Sequence, residues 1–128
     1  MKVMLCDAHP EWAKTFKALL QVEGHQASWV KCDDIDPARI AAATPDVLFY
    51  NCEFNGITYC MERLIALKRD PVCKTIPVIL LCTNETEALR ALSKARLEVE
   101  FVLCLPFTLG QLRNALKTVE ARLHVQAN

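Results

Sequence analysis

The residues able to do chemistry stand at the ends of short apolar runs. Asp7 follows KVMLC, Asn51 follows PDVLFY, Cys82 closes IPVILLC and Leu105 follows FVLC. A neutral amide at the tip of a run such as Asp46–Tyr50 poses a specific question. Either Asn51 only ends the run, or it holds a place where chemistry would need a carboxylate. The seven cysteines, at 6, 32, 52, 60, 73, 82 and 104, are odd in number and contain no CxxC pair. Several lie inside apolar segments, where a free thiol acts as a small hydrophobe in a reducing compartment. The three histidines (His9, His25, His124) are scattered, so neither a His-based triad nor a zinc set is visible. His9, next to Asp7 and before Pro10, suits a helix start.

The elements that must position these residues alternate in type along the chain. Lys2–Cys6 is a strand candidate. Trp12, Phe16, Leu19 and Leu20 then recur at helical spacing across Glu11–Val22, and Gly24 ends that run. Gln26–Lys31 is a second strand. Asp36-Pro37 supplies a cap and a first helical residue for a short helix to Ala43. Val47–Tyr50 is the third strand, and Ile57–Lys68 a helix. Pro77–Leu81 is unbroken in its hydrophobicity, as in a strand covered on both faces. Asn84-x-x-Glu87 forms a capping box for a helix to about Lys94. Val99–Leu105 is the fifth strand, and Thr108-x-x-Gln111 opens a last helix to about His124. Five strands alternating with five helices imply βαβ units, a parallel sheet and a doubly wound α/β fold. In such folds ligands bind at the carboxyl ends of the strands, where Asp7, Asn51, Cys82 and Leu105 stand.

Composition narrows the function. The chain has 128 residues, 52% hydrophobic and 23% charged, with nine Gly and Pro together, which suits one domain with one core. Fifteen basic and fifteen acidic side chains cancel, so nothing favours a nucleic-acid or membrane surface. The apolar runs are too short to span a bilayer, and the start MKVMLCDAHP lacks the pattern of a signal peptide. A cytoplasmic protein is expected, with a domain over 1–124 and a tail over 125–128.

KVMLCDAHP, PDVLFYN, IPVILLCTN and FVLCLPF, in this order and spacing, resemble the first, third, fourth and fifth strands of bacterial response-regulator receiver domains. The resemblance covers the whole chain and implies a CheY-like (flavodoxin-like) five-stranded parallel sheet of order 2-1-3-4-5 with five helices. In that family two adjacent acids and an acceptor Asp hold Mg²⁺, and a Ser or Thr and a Lys complete the phosphorylation site. Asp7 matches the first acid, but Ala8, Asn51, Cys82 and Leu105 stand at the other four positions. Phosphoryl transfer needs a nucleophilic oxygen, a cation and donors around the phosphate. A methyl group, an amide, a thiol and a branched alkyl chain stand at four of the five positions that would supply them. Asp7 with a backbone carbonyl at Glu53 is a thin ligand set for Mg²⁺.

The resemblance therefore implies a pseudo-receiver: a non-enzymatic, phosphorylation-independent module without metal or cofactor, working through another signalling protein or an output domain. The family's switch aromatic on the fifth strand aligns with Val102, with Phe101 next door. The face of the fourth helix, fifth strand and fifth helix, which in the family carries dimer or output contacts, would include Arg90, Lys94 and Arg113. Neither nucleic acid nor membrane is an expected partner. Asn51 is expected to satisfy nearby backbone groups and Leu105 to cover the site. Glu53 is the remaining candidate for local electrostatics, beside the simpler reading of a solvated loop carboxylate. An alternative function is a thiol-based sensor or small-molecule module around Cys82. Alternation along strands leaves Cys82 and Cys52 as the pair able to meet, with Cys6 and Cys104 directed away from the pocket.

Overall fold

The computed structural model describes residues 1–32, 35–52 and 56–127. Five strands, β1 (Lys2–Asp7), β2 (Gln26–Lys31), β3 (Val47–Asn51), β4 (Val78–Cys82) and β5 (Phe101–Cys104), form one parallel sheet of order β2-β1-β3-β4-β5. Five helices connect them: α1 (Pro10–Val22), α2 (Pro37–Ala43), α3 (Gly56–Arg69), α4 (Glu85–Ala95) and α5 (Leu109–Ala127). A 3-10 turn at Cys73–Thr75 precedes β4. The doubly wound α/β architecture and the strand order agree with expectation.

Each strand separates two cores. Met4, Cys6, Leu48, Tyr50, Leu80 and Cys82 face one side of the sheet, where Ile40 of α2, Met61 and Leu64 of α3, and Leu92 of α4 cover them. Val3, Leu5, Phe49, Ile79, Leu81 and Leu103 face the other, under Phe16 and Leu20 of α1 and Leu112, Leu116 and Val119 of α5. Phe16 is the hub of the second core. Its ring stacks on Trp12 at 4.9 Å and meets Phe49 and Phe107 edge-on at 5.2 and 5.5 Å. Aromatic contacts of this geometry add to the burial itself.

The helix starts follow the sequence signals. Pro10 opens α1, and the Asp36 carboxylate accepts from the Ala38 amide at the start of α2. Asn84 caps α4 by accepting from the Glu87 amide at 3.0 Å. Ahead of α5, Thr108 Oγ1 accepts from the Gln111 amide while Gln111 Oε1 accepts from the Thr108 amide, which completes a capping box. Most boundaries shift by a single residue, and two shift further. Strand β5 is shorter, its pairing with β4 beginning at Phe101. Helix α5 runs to Ala127, past the boundary expected at 124.

Candidate functional site

The sheet brings Asp7 and Asn51 together. Cys6 pairs with Tyr50 across β1 and β3, so the next residue of each strand stands side by side at their carboxyl ends. Both side chains are buried, Asp7 1% exposed and Asn51 6% exposed. The Asn51 amide nitrogen donates to Asp7 Oδ2 at 3.0 Å, and the His9 backbone N–H donates to Asp7 Oδ1 at 2.8 Å. The Trp29 indole donates to the Asp7 backbone carbonyl at 3.1 Å. A buried carboxylate is costly unless hydrogen-bonded, and here both of its oxygens have neutral donors. Backbone groups were the partners expected for Asn51, whereas its amide serves the Asp7 carboxylate directly.

The same geometry does not suit a divalent cation. Asp7 already spends one oxygen on Asn51 and the other on His9, and Ala8, partly exposed beside them, has no ligand atom in its side chain. Glu53 lies outside the described residues. Among the described residues, no three His, Cys, Asp or Glu side chains are placed to share a metal ion. The residues present do not fit Mg²⁺, which requires several hard oxygen ligands.

Leu105 is partly buried and packs with the α1–α5 core. It lines a cavity of about 230 Å³ with Trp12, Phe16, Leu19 and Phe107. Cys82 lies on the opposite side of the sheet from Leu105. Strand parity puts it with Leu80, Tyr50 and Cys52 in the α2–α4 core. Cys82 and Leu105 therefore stand on opposite faces of one sheet edge.

The cysteines are arranged differently from expectation. Cys82 and Cys104 are register partners in β4 and β5. The Cys52 amide donates to the Leu81 carbonyl at 3.0 Å, which carries the β3–β4 ladder one residue past Asn51. Cys52, Cys82 and Cys104 thus form one row across three neighbouring strands. Alternation does separate Cys104 from Leu105, but Cys82 shares the side of Cys104, so Cys82 and Cys52 are not the sole pair able to meet. A second group surrounds Tyr50. Burial pushes the Cys6 thiol well up, with Cys32 and Asp7 adding to the shift. Burial likewise pushes the Tyr50 phenol up, with Cys60, Cys32 and Cys6 contributing. Cys6 and Tyr50 are thus neutral core members at neutral pH.

Arg90, Lys94 and Arg113 do not share one face. Arg90 and Lys94 border a groove of about 430 Å³ between α3 and α4, floored by Met61, Ile65 and Ala91. Arg113 lies against α1, where its guanidinium donates to both Glu23 carboxylate oxygens at 2.8 and 3.0 Å. The Arg113 hydrogen bond holds Glu23 below the usual carboxylate range. Among neighbouring acids, Glu100 pairs with Arg122, while Glu98 lines a polar cleft with Lys68 and Arg96. Val102 packs toward α3 and α4, in the row of Leu80, whereas Phe101 packs on the α1–α5 side. Two residues that shape the site carried no chemical signal in the sequence: His9 acts through its backbone and Trp29 through its indole. No motif announces either.

The sheet order, the helix placement and the carboxyl-edge site together define the CheY-like fold of response-regulator receiver domains. No family model matches the chain, and no curated protein matches it in sequence. Solved structures do match. The chemotaxis protein CheY4 of Vibrio cholerae, crystallized at low pH, has a TM-score of 0.77 at 19% identity, over 92% of this chain and 97% of that chain. A response regulator receiver domain protein of Clostridium thermocellum has a TM-score of 0.74 at 18% identity, over 98% of each chain. A CheY-like receiver domain of Methylobacillus flagellatus has a TM-score of 0.68 at 19% identity, over 93% of this chain and 98% of that chain. At these identities the likeness establishes the fold. No helix among the described residues is long and apolar enough to cross a membrane.

Proposed function

We propose that this chain is a pseudo-receiver: a non-enzymatic signalling module of a two-component-like pathway that binds another protein without being phosphorylated. The observation that carries this reading is the buried hydrogen bond from the Asn51 amide to the Asp7 carboxylate. It gives the one remaining acid a permanent neutral partner, in the place where the receiver fold otherwise gathers charge around a cation. Ala8, Cys82 and Leu105 remove the other groups that would hold or orient a phosphoryl group. The polar edge is satisfied without a ligand, so no ligand-dependent rearrangement is needed to complete it.

Binding then falls to the surface. Leu89 is 49% exposed and Leu109 38% exposed. By helical period Leu89 lies on the flank of α4 away from the α3 groove, beside β5, where Val102 is also partly exposed. This α4-β5-α5 face is the proposed contact, with an output domain, another signalling protein or a second copy of the chain. The test is capture of a partner, and sedimentation of the chain alone, for wild type and Leu89→Asp. The reading expects Leu89→Asp to abolish the association, and a phosphodonor to leave it unchanged. Association that strengthens with a phosphodonor would overturn it.

A further inference from the structure

Cys104 is the partly exposed member of the seven cysteines; the other six are buried. Its thiol lies 3.6 Å from the carbonyl of Thr83, the residue after Cys82, so it leans from β5 toward β4. Cys82 is its register partner in the parallel ladder. Neighbouring strands lie about 4.8 Å apart. That spacing falls inside the Cα–Cα range of disulfides, about 4.4–6.8 Å. Core packing alone accounts for Cys60, fully enclosed between α3 and the sheet. It does not account for a thiol at the exposed end of an edge strand, aligned with a second thiol on the adjacent strand.

We infer that Cys82 and Cys104 are a peroxide-oxidisable pair that closes into a reversible disulfide at the carboxyl edge of β4 and β5. The partly exposed Cys104 sulfur, as thiolate, attacks one oxygen of a peroxide. The O–O bond breaks, and the leaving oxygen departs as hydroxide or alkoxide and takes up a proton. Cys104 is then a sulfenic acid. The Cys82 sulfur attacks that sulfur, the S–O bond breaks, and the hydroxide leaves as water with the Cys82 proton. Two thiols lose two electrons in total and the peroxide gains them. Side chains in a parallel pair project side by side, with Cβ atoms further apart than the ~3.8 Å mean of disulfides. Closure must draw the ends of β4 and β5 together, and a strained bond of this kind is readily reduced. The strain falls on Thr83 and Asn84, the cap of α4. The inference does not depend on the absence of phosphoryl chemistry.

Trypsin separates the two residues cleanly: Cys82 falls in the peptide 75–90 and Cys104 in 97–113, each with a single cysteine. The folded chain is treated with stoichiometric hydrogen peroxide, blocked with iodoacetamide, denatured and digested. The expected result is a linked 75–90/97–113 pair, with free thiols falling from seven to five and returning with dithiothreitol. Cys104→Ser should show no thiol loss on the same treatment, and Cys52→Ser should keep the link, both with unchanged circular dichroism. Oxidation of Cys104 to sulfinic acid with Cys82 still free would overturn the inference. So would a covalent dimer through Cys104, or a Cys52–Cys82 link.

Discussion

Replacing Asn51 by Asp asks whether the amide stands in for a cation. In the native chain Asn51 Nδ2 lies 3.0 Å from Asp7 Oδ2, and both residues are buried. The substitution turns a donor facing a carboxylate into a second carboxylate at the same spacing. With an effective dielectric of ~20, two unit charges ~3 Å apart repel by about 5 kcal/mol. The pair can relieve this by holding one proton between its oxygens, which also restores a hydrogen bond. Protonating an ordinary carboxyl at pH 7 costs about 4 kcal/mol, so that route sets the ceiling. The expected loss of stability at pH 7 is about 4 kcal/mol, roughly a quarter to four fifths of the stability of a typical domain. Between the ordinary carboxylate range and neutrality, the folded variant holds one proton more than its unfolded chain. Its stability therefore falls as pH rises, by about 1.4 kcal/mol per unit. Urea denaturation of wild type and variant, followed by tryptophan fluorescence, should show a gap at neutral pH that closes toward pH ~4. Equal stability at neutral pH would refute the contact. Rescue by Mg²⁺ together with a stable phosphoryl adduct would refute the claim that Ala8, Cys82 and Leu105 also disable the site.

Further outcomes follow from the packing and the charges. Phe16→Ala empties the centre of the α1–α5 core and should cost about 3–5 kcal/mol in chemical denaturation; a loss below ~1 kcal/mol would contradict its place as the aromatic hub. Because Glu23 titrates below its unfolded value, its bond to Arg113 contributes above the ordinary carboxylate pKa and is lost as pH falls through the lowered one. Glu23→Gln should thus be slightly less stable than wild type at neutral pH, equal to it in acid, and closer to it in high salt. A gap that persisted in acid would count against the pair. In timed alkylation of the folded chain, Cys104 should label first. Burial pushes the Cys73 thiol up to about 11, with the Asp70 hydrogen bond adding to it, so Cys73 should label slowly at neutral pH. Peptide mapping of the labelled chain decides this.

Much of the fold was legible because local signals and tertiary needs agree. Asp36-Pro37, Asn84-x-x-Glu87 and Thr108-x-x-Gln111 each start a helix where the structure has one. The continuous apolar run Val78–Cys82 is the fully buried strand β4. That continuity also hid information. A strand buried on both faces shows no alternation, so the sequence does not say which residues share a side. This is why Cys104 was separated from Cys82, although register pairs them. The alignment of Asp7 with Asn51 was visible as two strand tips, but not the direction of the amide toward the carboxylate. Arg113 and Glu23 are 90 residues apart in sequence, and no local pattern links them. Helical period likewise could not say that Arg90 and Lys94 border α3 rather than flank β5.

The central claim is that the Asp7–Asn51 pair closes the site to phosphoryl chemistry. Its most direct test is the intact mass of the folded wild-type chain after incubation with a small phosphodonor and Mg²⁺. The account predicts an unchanged mass. An adduct of one phosphoryl group, removable by hydroxylamine as an acyl phosphate would be, would contradict it.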